Sequence, residues 1–193
     1  LWLKRGTKGV RKKALQSYVI FKSLVHDELP SRRKGPRTGR TKAGLLTAIH
    51  EDLRPKSTMT QLGTSTPTQG YVLPILAHTG KSWTLIINVY IPTDPPTLRD
   101  TILQEVSQII HEQRALHPCL TVIMGGDMNA TLSPRDRFLE KCTSLDNGFR
   151  RWVSGLDLHT TTPGTQAQPS YVPFGSRALG VEQGAALLDH WLL

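Results

Sequence analysis

Apolar positions along this chain fall first into short runs with strand character and then into one long stretch with helical spacing. Tyr18-Val19-Ile20-Phe21 is β-branched and aromatic, and Ala43 to His50 is a second compact apolar run. Tyr71 to Leu76 and Trp83 to Tyr90 read as two further strands turned by Thr79-Gly80-Lys81, with Pro74 placing the first of them at a sheet edge. The polar stretch 56–70 reads as a loop or weak edge strand.

After Ile91-Pro92-Thr93-Asp94-Pro95-Pro96 the period changes. Leu98, Ile102, Val106, Ile109 and Ile110 recur at spacings of three and four, which predicts a helix of roughly four to five turns. Thr97 offers its N-cap, with Asp100 three residues on, and Pro118 disfavours continuation at the other end. Leu120 to Met124 then reads as a buried strand, residues 131–148 as loop and short helix, and 147–155 as another short helix. A strand near Ser170-Tyr171-Val172 and a final strand over 186–193 close the chain, and no internal repeat is present. This order predicts an α/β fold, a two-sheet sandwich with mixed sheets.

Composition narrows the partner. The 193 residues carry 24 Lys and Arg against 15 Asp and Glu, a formal charge of +9, which favours a negatively charged partner, most simply nucleic acid. Six basic residues crowd residues 31–42, where no apolar period exists; Arg32, Arg33, Lys34, Arg37 and Arg40 suit either a solvated mobile loop or a contact with phosphate backbone. Two isolated cysteines, Cys119 and Cys142, make neither a disulfide framework nor a zinc site, and they favour a reducing, intracellular compartment, the nucleus included. No apolar run approaches a membrane span, and the opening residues are too basic for a signal peptide. One domain over 18–193, preceded by a basic segment over 1–17, accounts for the length.

Three stretches carry candidate chemistry: Asn88-Val89-Tyr90-Ile91-Pro92 at one strand end, Gly125-Gly126-Asp127-Met128-Asn129-Ala130 at another, and Leu188-Asp189-His190 in the last strand. Polar residues delivered by a buried strand to its carboxyl end lie where open sheets expose ligand sites. In order and spacing the three stretches resemble the endonuclease/exonuclease/phosphatase superfamily, and the LDH pair and Gly-Leu-Asp-Leu-His segment most resemble the endonuclease domains of non-LTR retrotransposons. The resemblance runs from about Tyr18 to the last residue. It implies a DNase I-like sandwich, magnesium-dependent hydrolysis of DNA, and a parent polypeptide that carries a reverse transcriptase.

Phosphodiester hydrolysis needs a positioned water, an acceptor for its proton and charge stabilisation at the phosphoryl oxygens. The resemblance gives Asp127 the water, Asn129 and Tyr90 the phosphate oxygens, and Asp189 the task of holding a catalytic imidazole. Each has a plainer reading as well: Tyr90 as a half-buried strand aromatic, Asn129 as a turn residue, Asp127 as a cap. His190 follows Asp189 but sits in an apolar strand that turns neighbours to opposite faces, and it reads as structural.

The family's magnesium-binding Glu and terminal S-D-H have no counterpart here, since Leu1 to Ser17 contain no acidic residue and the chain stops soon after Asp189. As the resemblance has it, the sandwich is incomplete and truncated at both ends, and the isolated chain is feebly active, inactive but still able to bind nucleic acid, or prone to aggregate. A phosphatase or lipid hydrolase of the same superfamily fits the basic balance less well.

Overall fold

The computed structural model describes residues 17–24, 44–53, 57–80, 82–136, 143–160 and 189–193. Strands β1 (Tyr18–Leu24) and β2 (Gly44–His50) pair antiparallel as one sheet. The second sheet has the order β3-β4-β5-β6-β7, built from β3 (Ser57–Gln61), β4 (Val72–Thr79), β5 (Ser82–Tyr90), β6 (Leu120–Asp127) and β7 (Asp189–Leu192). It is mixed, because β5 and β6 run parallel while the other pairs are antiparallel. Helix α1 (Pro96–Leu116) supplies the crossover that two parallel strands require, and α2 (Ser144–Gly155) follows β6.

Strand alternation divides the side chains of the large sheet between two cores. Val72, Leu85, Ile87, Val89, Val122, Met124 and Leu192 meet Ile102, Val106 and Ile110 of α1 and Phe149 and Val153 of α2. Each such aliphatic side chain contributes about 1.5–3 kcal/mol by leaving water. On the opposite face Leu73 and Ile75 meet Leu45 and Ile49 of β2. Polar ties fix this sheet-on-sheet contact: Asn88 Nδ2 donates to the Leu46 carbonyl at 3.0 Å, and the Gly70 amide donates to Ser23 Oγ at 2.7 Å. The result is the two-sheet α/β sandwich that the apolar pattern predicts, with helices against the outer face of the larger sheet.

Several local expectations need correction. Pro74 does not mark an edge, because β4 lies between β3 and β5. Its carbonyl accepts from the Leu62 amide at 3.0 Å, just past the last β3 pair, Gln61 with Ile75. The N–H that Pro74 lacks would face Leu62, one residue beyond the last β3 pair, so the proline sits where the β3 ladder ends rather than at a sheet edge. Thr97 is not the N-cap: α1 starts at Pro96 after Pro95, with no side-chain cap, since the fixed φ of proline suits the first helical position. Stretch 56–70 does contain an edge strand, β3, and β6 extends three residues beyond Met124 to include Asp127.

Helix α2 begins at Ser144, earlier than the apolar pattern suggests, because Thr143 and Asp146 form a reciprocal capping box. The expected strand near Ser170-Tyr171-Val172, the basic loop over 31–42, and residues 186–188 of the last strand lie outside the described residues. Among the described residues no helix is long and apolar enough to cross a membrane.

Candidate functional site

Register alone brings three of the predicted site residues into line. Tyr90 is paired with Asp127 across the parallel β5/β6 ladder, and Asp127 is paired with Asp189 across the antiparallel β6/β7 ladder. Directly opposed residues on one face of a sheet lie within reach of one another. The backbone of Asp189 is thus placed beside Asp127, while its side chain lies outside what the structure describes.

The two glycines before Asp127 allow this strand end to exist. At Gly126 the backbone has φ 142°, and an added Cβ would lie 1.9 Å from the Val89 carbonyl oxygen. At Gly125 a Cβ would meet the Trp191 ring at 2.5 Å, so the indole of β7 occupies the space a side chain would need. The paired glycines are steric requirements of β6 packing closely between β5 and β7.

Beyond Asp127 the chain turns back on itself. Asn129 has φ 48°, a left-handed conformation that asparagine tolerates better than most residues. Its amide nitrogen donates to Asp127 Oδ1 at 3.0 Å, and its Nδ2 donates to the Ile91 carbonyl at 2.9 Å. The Ile91 amide in turn donates to the Asp127 carbonyl at 2.9 Å. The loops after β5 and β6 are therefore laced together through Asn129, which is both a turn residue and a polar group facing the site.

Tyr90 completes the arrangement. Its ring stacks on Tyr71 with centroids 6.1 Å apart, and its amide donates to the Tyr71 carbonyl. Burial raises the phenol pKa above the usual 10.0, the Asp127 charge raises it further, and a hydrogen bond with Asn129 partly opposes them. The phenol therefore keeps its proton throughout the neutral range and remains a donor. Tyr90, Asp127 and Asn129 form one hydrogen-bonded and electrostatically coupled unit at the carboxyl ends of two parallel strands.

Two positions that serve this unit escape sequence reading. Tyr71, the stacking partner of Tyr90, stands in the turn just before β4. Asp146, fully buried, accepts from the Thr131 amide at 2.8 Å and the Thr143 amide at 2.6 Å, so it clamps the turn after Asp127 to the start of α2. A Thr-x-x-Asp capping box was the available signal for Asp146, but its second contact, 15 residues back, has no local signature. His190 is buried, with Nε2 2.9 Å from the Ala130 carbonyl oxygen and its ring 6.2 Å from Phe149. Arg32, Arg33, Lys34, Arg37 and Arg40 lie outside the described residues.

Magnesium is held by one or two carboxylates together with waters and substrate phosphate oxygens. Asp127 is an oxygen donor of the right class, yet among the described residues no group of three or more His, Cys, Asp or Glu side chains gathers to hold a metal. The described residues do not complete a metal centre.

No family model matches the chain, and no curated protein sequence matches it. Solved structures do. The endonuclease domain of TRAS1, a telomere-specific non-LTR retrotransposon, aligns over 91% of this chain with a TM-score of 0.59 and 15% identity. The chain spans 64% of that domain's length. A 3' phosphatase, NExo, from Neisseria, bound to product DNA hairpin, aligns over 99% of this chain and 73% of its own, with a TM-score of 0.64 and 16% identity. The catalytic domain of human Nocturnin with bound sulfate aligns over 96% of this chain and 64% of its own, with a TM-score of 0.51 and 10% identity. The fold of this chain is the one these solved structures share, the DNase I-like two-sheet sandwich expected from the NVYIP and GGDMNA resemblance.

Proposed function

We propose that this chain is a DNA phosphodiesterase module, in which Tyr90 and Asn129 hold a phosphate of the strand and Asp127 orients the attacking water and accepts its proton. The observation that carries this reading is the direct pairing of Tyr90 with Asp127 at adjacent strand ends, with Asn129 bonded to both. In the reaction, the water oxygen forms a bond to phosphorus, the bond from phosphorus to the leaving sugar oxygen breaks, and that oxygen takes up a proton. The protonated Tyr90 phenol and the Asn129 amide donate to phosphoryl oxygens without adding charge. The likeness to a retrotransposon endonuclease domain and to a Neisseria enzyme bound to a DNA hairpin supports a nucleic-acid substrate.

The finer reading, endonucleolytic cleavage in the retrotransposon manner within a longer polypeptide that also carries a reverse transcriptase, rests on the motif resemblance. Slow cleavage is expected, because the described residues bring no group of three or more metal-binding side chains to the site. The absence of an acidic cluster among the described residues favours a second reading, binding of nucleic acid without chemistry.

Substrate class separates these readings. DNA affinity should fall linearly on a log-log plot against salt, as phosphate contacts release counterions. Cleavage should be confined to DNA, with a small phosphomonoester and a phospholipid left intact. Hydrolysis of either small substrate in preference to DNA would overturn the proposal, and salt-sensitive binding with no cleavage would leave the second reading in its place.

A further inference from the structure

Helix α1 carries a carboxylate within its buried stripe. Glu105 stands three residues after Ile102 and four before Ile109, on the side that the helix turns towards the sheet, and it is half-buried there. A carboxylate in such a place needs donors, and the connection between β3 and β4 supplies them. The Ser65 amide donates to Glu105 Oε1 at 2.6 Å, while the Ser65 hydroxyl and the hydroxyl of fully buried Thr68 both donate to Oε2. These donors belong to the single 3-10 turn Thr66–Thr68 and to the residue before it.

That turn leads directly to the candidate site. The Thr68 carbonyl accepts from the Tyr71 amide at 2.9 Å, Gly70 reverses the chain between them with φ 86°, and the Tyr71 carbonyl accepts from the Tyr90 amide at 2.9 Å. Tyr71 stands one residue before the first β4 pair, Val72 with Val89, and its ring lies at 16° to that of Tyr90 with centroids 6.1 Å apart. Hydrogen bonds through Thr68 and Tyr71 therefore connect Glu105 to Tyr90.

We propose that Glu105 is a positioning residue: by fastening the Ser65–Thr68 turn to α1, it fixes Tyr71 as the wall against which the Tyr90 ring is held. The consequence for a bound phosphate rests on the phosphodiesterase reading, whereas the coupling of Glu105 to Tyr90 does not. Sheet pairing sets the backbone of Tyr90 but leaves its ring a choice of rotamers. Stacking on Tyr71 restricts that choice. The restriction matters because a donor to a phosphoryl oxygen acts only when it is held in the productive geometry.

Two substitutions separate this role from simple anchoring of the connection. Glu105→Ala removes the acceptor of all three donors, and Glu105→Gln keeps one acceptor oxygen in the same place. The reporter is the Tyr90 ring signal in proton–carbon NMR spectra of the chain carrying isotope-labelled tyrosine, identified by its absence from Tyr90→Phe. A stacked neighbour displaces that signal, and Tyr71→Leu gives its position without the stack. In Glu105→Ala the signal should move most of the way to its position in Tyr71→Leu, and in Glu105→Gln it should stop between the two. The rate of plasmid nicking should fall by about two- to tenfold in Glu105→Ala and in Tyr71→Leu, and no further in the double variant, because both act through one contact.

A Tyr90 signal that stays in place in the folded Glu105 variants would overturn the inference, since the carboxylate would then only pin the connection between β3 and β4. Additive losses of nicking in the double variant would overturn it as well. The hydrolytic reading fails separately: a folded parent that does not nick DNA contradicts hydrolysis, while movement of the Tyr90 signal still decides the coupling.

Discussion

At Gly126 the nearest obstacle is backbone, the Val89 carbonyl oxygen, rather than the end of a side chain that can swing away. Gly126→Ala must therefore part β5 from β6 at the point where Tyr90 and Asp127 meet. A loss of more than about 2 kcal/mol is expected from strain of this kind, and urea denaturation of parent and variant measures it. Tyr90 offers a second test. Its pKa is raised in the folded chain, mainly by burial and next by Asp127, so the stability this adds is fully present below pH 10.0 and is lost as pH rises through the folded-state value. Melting profiles between neutral and strongly alkaline pH should show the parent losing more stability above pH 10.0 than Tyr90→Phe does. A parallel decline in both would mean that the environment of Tyr90 is not as described. Asp127 and Asn129 were legible as candidates because polar residues ending an apolar strand contradict their surroundings, and Tyr90 because of the NVYIP resemblance. Tyr71 and Asp146 were not, because their roles depend on partners brought near by the fold.

Among the elements, the α1 helix was legible from its period, since four of its five marked apolar positions are buried against the sheet: Ile102, Val106, Ile109 and Ile110. Its start was misread, because Thr97 has the right side chain for a cap but Pro96 has the right backbone one residue earlier. Pro74 was misread for a related reason: the edge rule concerns the ladder bond lost, and at this position the neighbouring strand has already ended. The start of α2 carries its own prediction. Asp146→Ala removes a capping interaction, about 0.5–2 kcal/mol, and strands the buried Thr131 amide, about 1–3 kcal/mol more. Denaturant unfolding should show a loss within that combined range. Amide exchange should quicken over 128–131 more than in the core of β5, since the turn holding Asn129 loses its anchor to α2. Uniform quickening would mean that Asp146 serves the whole fold rather than the turn.

Across the whole molecule, the mixed sheet places the ends of two parallel strands side by side, and the loops leaving them hold Tyr90, Asp127 and Asn129 within one network. The two-sheet sandwich was legible from the order of strands and helix; the register that lines up Tyr90, Asp127 and Asp189 was not, since pairing partners are not encoded in apolar period alone. The net charge of +9 suits a partner with a phosphate backbone. The central claim is that this network acts on a phosphodiester through Asp127. Nicking of supercoiled plasmid by the parent chain and by Asp127→Ala, each with and without magnesium and each shown to be folded, tests it most directly. The account predicts slow nicking by the parent that falls by about 10²-fold or more in Asp127→Ala, the loss expected for a general base. Nicking undiminished in Asp127→Ala, or none from the folded parent, would contradict it.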